Sequence, residues 1–158
     1  MSKPTLYLAN NYGFSEVGKR SLQPIEETLS EMGFEIWEPF KRCNAVSTVE
    51  SDAPIRMANG NAKDIRECDI VFAIVNGEPP DVGVFCEIGI AAAWDKPRVF
   101  FRDDFRVCTD SQEIPANLMM TTGFRDLQTF KQHCYVSVAE LMDQQKYLAQ
   151  FVRLFLVE

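Results

Sequence analysis

The chain has 158 residues, a length that suits one compact domain able to bury most of the apolar surface its unfolded form would expose. Hydrophobic residues make up 46% and charged residues 25%, which excludes a disordered chain, and a formal net charge of -7 excludes a protein that grips nucleic acid through its phosphates. No apolar run is long enough to span a bilayer and no basic, apolar leader opens the chain, so a cytoplasmic protein without membrane association is expected.

In chain order, residues 4–9 form a short apolar run suited to a buried strand, broken by the stretch Asn10 to Gly13. Ser15 can cap a helix through Met32, stopped by Gly33, and residues 34–37 read as a second strand ended by Pro39. Residues 40–54 are polar and irregular, a candidate substrate loop, and a helix follows over 55–67. Residues 69–75 are the clearest strand in the chain, 98–102 the fourth, and 117–120 a short helix or strand. Residues 137–156 have helix-forming composition and are expected as one long helix. Strands alternating with helices predict the α/β class: a flavodoxin-like or Rossmann-like three-layer sandwich around a mostly parallel five-stranded sheet, in a single domain over 1–158. Ligands then bind at the carboxyl ends of the first and third strands.

The cysteines at 43, 68, 86, 108 and 134 are odd in number and form no Cys-x-x-Cys pair, so reduced thiols are expected, with neither a disulfide framework nor a zinc site. The lone histidine, His133, lies in a polar stretch that suggests a surface or helix-end position, and a histidine-based triad is excluded. Neither Gly-x-Gly-x-x-Gly nor a Gly-Lys-Ser phosphate loop occurs, which disfavours a dinucleotide; no cofactor and no metal are expected.

The most informative segment is Asp81-Val82-Gly83-Val84-Phe85-Cys86-Glu87, followed by the small residues Gly89 and Ala91 to Ala93. Asp81 and Gly83 end a loop and open a helix, which puts Glu87 at the end of its first turn or the start of its second. There the helix N-terminus is expected to favour the ionised carboxylate, as a nucleophile requires. The small residues let the helix lie close on a sheet and hold that carboxylate still. The plain alternative is a surface glutamate in a local ion pair.

Together with Thr5-Leu6-Tyr7-Leu8-Ala9-Asn10, Gly13-Phe14-Ser15, the strand from Cys68-Asp69 to Gly77, the segment Arg102 to Arg106, and Asn117-Leu118-Met119, this pattern resembles the nucleoside 2-deoxyribosyltransferase family over residues 4–120. The resemblance implies that Glu87 attacks the anomeric carbon to give a covalent deoxyribosyl-enzyme, which a second base then displaces in nucleoside salvage. It implies that Tyr7 hydrogen-bonds Glu87 and that Asp81 accepts from a sugar hydroxyl. It also implies that Asn117 reaches into a neighbouring subunit's site, so that the active unit is a homo-oligomer based on dimers, with tetramers or hexamers as larger assemblies. The expected partners are nucleosides and nucleobases.

One position departs from the family. Where an aspartate is expected eight residues before Asp69 stands Asn61, which can hydrogen-bond a base edge but has no proton to give. Asp64 is the candidate substitute, against the plain reading of a solvated helix charge. Phe14 and Phe40 are candidates to stack on the base, with core packing as the alternative for each; Asp104 and Arg106 are candidates to border the site. Two other functions are compatible with the sequence. An N-glycosidase acting on deoxynucleosides or their 5'-monophosphates would share Glu87, although the first loop offers no arginine before Arg20. A non-catalytic nucleoside- or nucleotide-binding module is favoured by Asn61 and opposed by Tyr7, Asp81 and Glu87 together.

Overall fold

A computed structural model of the chain describes residues 2–43, 51–106 and 113–157. Its centre is a sheet of β1 (Thr5–Ala9), β2 (Glu35–Trp37), β3 (Ile70–Ile74), β4 (Arg98–Phe101) and β5 (Cys134–Tyr135), in the order β2-β1-β3-β4-β5. Every neighbouring pair is parallel, as the expected α/β class requires. The crossovers are supplied by α1 (Glu16–Glu31), α2 (Pro39–Arg42) with α3 (Ala53–Glu67), α4 (Val82–Ala93) and α5 (Leu127–Gln132), and α6 (Tyr147–Phe155) closes the chain.

Alternation along the strands divides the core in two. Leu6 and Leu8 point to the face covered by α1 and α6, where they meet Phe72, Val99 and Leu148. Tyr7 and Ala9 point to the face covered by α3, α4 and α5, where they meet Ile65, Val71, Val84 and Ile88. The chain leaves β1 toward β2 and returns to β3 on the other side, so the strand order reverses between β1 and β3. A crevice opens at such a switch point. Tyr7 therefore shares a face with α4, the helix that follows β3.

The first helix begins where expected, with the Ser15 hydroxyl accepting from Gly18 N at 2.9 Å, and it ends at Gly33, whose φ of +104° suits glycine. It runs through Pro24, an exposed position, because Leu22, Ile25 and Leu29 anchor its other face in the core. Residues 40–54 are not wholly irregular. Pro39 opens α2 instead of merely ending β2, and of the expected loop residues 44–50 lie outside the described residues.

Residues 137–156 do not form one helix. A 3-10 turn (Ala139–Met142) and α6 are separated at Asp143, whose side chain accepts from Gln145 N at 2.8 Å and whose carbonyl accepts from Lys146 N at 3.1 Å. Such local bonds compete with helix propagation. Beyond the break, the Tyr147 ring stacks on His133 with 3.7 Å between centroids. His133 is accordingly not a surface residue: it ends α5, is 7% exposed, and its Nδ1 lies 2.8 Å from the Arg98 carbonyl. Burial holds its pKa below the usual histidine value. The four described cysteines are free thiols. Among the described residues, no helix is long and apolar enough to cross a membrane.

Candidate active site

The site is built from the head of α4. Asp81 caps that helix through Oδ1, which accepts from Gly83 N at 2.8 Å and Val84 N at 3.1 Å, while Oδ2 takes no part in the cap. Glycine at 83 fits because a Cβ there would come 2.9 Å from the capping oxygen. Val84, Ile88 and Ala91 bury one stripe of α4 on the sheet, and Glu87 flanks that stripe, half-buried. From mid-β1, fully buried Tyr7 donates its hydroxyl to Glu87 Oε1 at 2.7 Å. Two residues 80 positions apart are thus joined at the β1–β3 switch point.

The electrostatics depart from expectation. Burial pushes the Glu87 carboxyl up to about 7, against the Tyr7 hydrogen bond that lowers it, and the charges of Asp81 and Glu38 raise it further. Burial outweighs the helix terminus at Glu87, because Asp81 already occupies the first-turn amides and the dipole's effect fades beyond the first turn. Tyr7 is held far above the usual phenol range, first by burial and then by the Glu87 charge, so it stays a neutral hydroxyl that can donate to Glu87.

Glu38, a further acidic group, is absent from the candidates read in the sequence. Glu38, 2% exposed, accepts from Asn10 Nδ2 at 2.9 Å through Oε1 and from Lys41 N at 3.0 Å through Oε2. Asn10 Oδ1 in turn accepts from Tyr12 N at 2.9 Å and Gly13 N at 3.3 Å. The Tyr12 hydroxyl accepts from Asn76 at 2.7 Å, and Asn76 Oδ1 accepts from the amides of Asp103 and Asp104. This chain of bonds ties together the segments following β1, β2, β3 and β4 around the crevice. A signal existed in Glu38-Pro39, an acceptor followed by proline, which suits an N-cap and first helical position.

The remaining candidates divide. Asp64 is not a solvated charge: it is 6% exposed and accepts from Arg42 Nε at 2.7 Å and Nη2 at 3.1 Å. The Arg42 guanidinium holds the Asp64 carboxyl below its usual range, the opposite of what a proton donor needs. Asn61 lies one turn before Asp64 on α3, and its buried Oδ1 has no partner. Phe14 and Phe40 meet each other edge to face at 4.6 Å, with Phe14 78% exposed and the Phe40 ring packed against Gly13. Asp104 is paired with Arg106 and accepts from Gly77 N at 3.1 Å, at the end of β3.

Asn117 is not brought to Glu87 within this chain. It caps the 3-10 turn Leu118–Thr121 through a 2.9 Å bond from Met119 N, and it lines a cavity of about 360 Å³ with Pro80, Val82 and Phe85 on the outer flank of α4. Glu87 does not line that cavity, so we place the chemistry at the Tyr7–Glu87 pair and not there. Among the described residues, no group of three or more His, Cys, Asp or Glu side chains could hold a metal ion.

The fold matches that of a 2-deoxyribosyltransferase from Bacillus psychrosaccharolyticus (TM-score 0.62, 22% identity, covering 78% of this chain and 88% of that one). It also matches a 2-desoxiribosyltransferase from Leishmania mexicana (TM-score 0.61, 22% identity, 82% and 93%) and a conserved protein from Enterococcus faecalis V583 (TM-score 0.57, 19% identity, 97% and 88%). No functionally curated protein matches the chain in sequence. The sequence pattern of the nucleoside 2-deoxyribosyltransferase family matches residues 6–119, the span that contains Tyr7, Asn61, Asp81, Glu87 and Asn117, and the chain belongs to that family.

Proposed function

We propose that the protein transfers 2-deoxyribose from one nucleobase to another in nucleoside salvage, with Glu87 as the nucleophile and no metal or organic cofactor. The observation that carries this reading is the 2.7 Å bond from Tyr7 to Glu87 Oε1 at the head of a capped helix. Ionised Glu87 attacks C1' of the sugar, the bond from C1' to the base nitrogen breaks, and a deoxyribosyl ester remains. A second base then attacks C1' and releases the carboxylate. With Tyr7 fixed on Oε1, Oε2 is the oxygen available for attack. The raised Glu87 pKa makes the carboxylate a stronger nucleophile than an exposed one, at the cost of partial protonation at neutral pH. Asp81 Oδ2 is left to accept from a sugar hydroxyl.

The charges favour an unphosphorylated substrate. Glu38, Asp81 and Glu87 form an acidic cluster, and the nearby cations Arg42 and Arg106 are paired with Asp64 and Asp104. Asn10 and Asn76, the amides that could have cradled a phosphate, are engaged in the bonds that frame the crevice.

The same reading includes a homo-oligomer, at least a dimer, acting in the cytoplasm. The helix α4 is apolar nearly all round, yet Val82 is 83% exposed, and Leu118 and Met119 beside Asn117 are 52% and 63% exposed. A second copy covering that surface would bring Asn117 to its neighbour's Glu87. Incubation with deoxyinosine and adenine tests the activity: deoxyadenosine is expected. Hypoxanthine without deoxyadenosine would replace transfer by N-glycoside hydrolysis, and no reaction would remove both.

A further inference from the structure

Attack by Glu87 sends the electron pair of the glycosidic bond onto the base, which must then be protonated as it leaves or depart as an anion. The face of α3 that turns toward Tyr7 carries residues 61, 64 and 65, spaced at three and four residues, and continues into the capping residue Cys68. Ile65 and Cys68 pack in the same cluster as Tyr7, and the charge of Asp64 acts on the Tyr7 hydroxyl. Asn61 lies on that face, one turn nearer the crevice. It is an amide, and its buried Oδ1 has no partner.

The nearest carboxyl on this face is not free to replace the missing acid. Asp64 accepts from two nitrogens of Arg42, whose guanidinium lies 4.2 Å from the centre of the Trp37 ring, and from the Cys43 thiol at 3.5 Å. A carboxylate clamped in this bidentate way keeps its charge and has its lone pairs occupied. Releasing it would leave a nearly buried anion unpaired.

We propose that Asn61 binds the departing base through its amide without protonating it, so that the site selects 2-deoxynucleosides whose base leaves as a weakly basic anion. This rests on the transferase reading above. The step balances without a proton from the protein: the bond from Glu87 Oε2 to C1' forms, the bond from C1' to the base nitrogen breaks, and the negative charge passes from the carboxylate to the base, which takes its proton from water. In the reverse direction the accepting base loses its N–H proton to water and attacks C1' as an anion. Donor and acceptor bases therefore share one property, an acidic N–H. Among pyrimidines of nearly equal size, the electron-withdrawing fluorine of 5-fluorouracil makes it a better leaving group than uracil, and uracil is better than thymine.

The test is the rate of base release in a single turnover from 2'-deoxy-5-fluorouridine, 2'-deoxyuridine, thymidine and deoxycytidine, with wild type, Asn61→Asp and Asp64→Asn. The slope of rate against leaving-base acidity is a ratio within one preparation, so partial loss of folded protein does not alter it. Wild type is expected to show a steep slope. Asn61→Asp restores an acid and flattens it, raising release from the poorest leaving group by about 100-fold, within the range of general acid catalysis. Asp64→Asn is expected to keep the wild-type slope. A flat wild-type slope, or a slope changed by Asp64→Asn and not by Asn61→Asp, would overturn the inference while leaving the transferase intact. Absence of base release from every substrate would overturn the transferase reading and this inference with it.

Discussion

Tyr7→Phe removes one hydroxyl from a fully buried ring and leaves its packing carbons in place, so its effect isolates the bond to Glu87 Oε1. That bond favours the ionised carboxylate, and its loss lets burial and the charges of Asp81 and Glu38 act unopposed. A hydrogen bond to a charged group contributes about 1.5–3 kcal/mol, and at about 1.4 kcal/mol per pKa unit this moves the Glu87 pKa up by about one to two pH units. With a starting value of about 7, the ionised fraction at pH 7 falls from about a half to about a tenth or a hundredth. Base release at pH 7 under saturating substrate should then fall by about 5-fold to 50-fold, and part of the loss should return as the pH is raised. The assay is the pH profile of the burst of base release, in which the acidic limb is expected to move upward. A limb that stays in place, with a rate at pH 7 within about 2-fold of wild type, would refute the view that Tyr7 supports the ionised nucleophile.

Glu87→Gln should abolish exchange and yet stabilise the fold above neutral pH. The folded-state pKa of about 7 exceeds the reference value of 4.5, so ionisation costs more in the folded state, and wild type loses stability as the pH rises from 4.5 toward 7. Thermal or urea unfolding should favour the variant by about 1–3 kcal/mol at pH 8 and by little at pH 4. Asn10→Ala leaves buried Glu38 short of a donor and the Tyr12 and Gly13 amides without their acceptor; urea unfolding should show a loss of about 2–3 kcal/mol. Mixing Glu87→Ala with Asn117→Ala protomers should restore exchange above that of either variant alone, because a mixed dimer rebuilds one site with both residues. No restoration would place Asn117 outside the neighbour's site.

The legible part of this protein is the part encoded locally. The order of strands and helices put the end of the first strand and the helix that carries Glu87 at one crevice, the family resemblance implied a bond from Tyr7 to Glu87, and the structure joins the two at 2.7 Å. The cap itself could be read from Asp81 and Gly83. What stayed hidden depends on tertiary packing. The pKa of Glu87 is set first by burial, which a helix-terminus argument does not contain. Glu38 meets Asn10 across 28 positions, and Asp64 meets Arg42 across 22, so neither pairing leaves a periodic trace in the sequence. The two-residue strand β5 is too short to show alternation, and its partner β4 defines it. The C-terminal helix is interrupted by local bonds of Asp143, which composition alone did not reveal.

The central claim is that Glu87 forms a covalent bond to the sugar, and the most direct measurement is the mass of the protein after acid quench from a mixture with a 2'-deoxynucleoside and no acceptor base. The expected result is a gain of one deoxyribosyl group, mapped by fragmentation to Glu87, absent from Glu87→Ala, and discharged as a new nucleoside when an acceptor base is added. An adduct on another residue, or exchange that persists in Glu87→Ala, would contradict it.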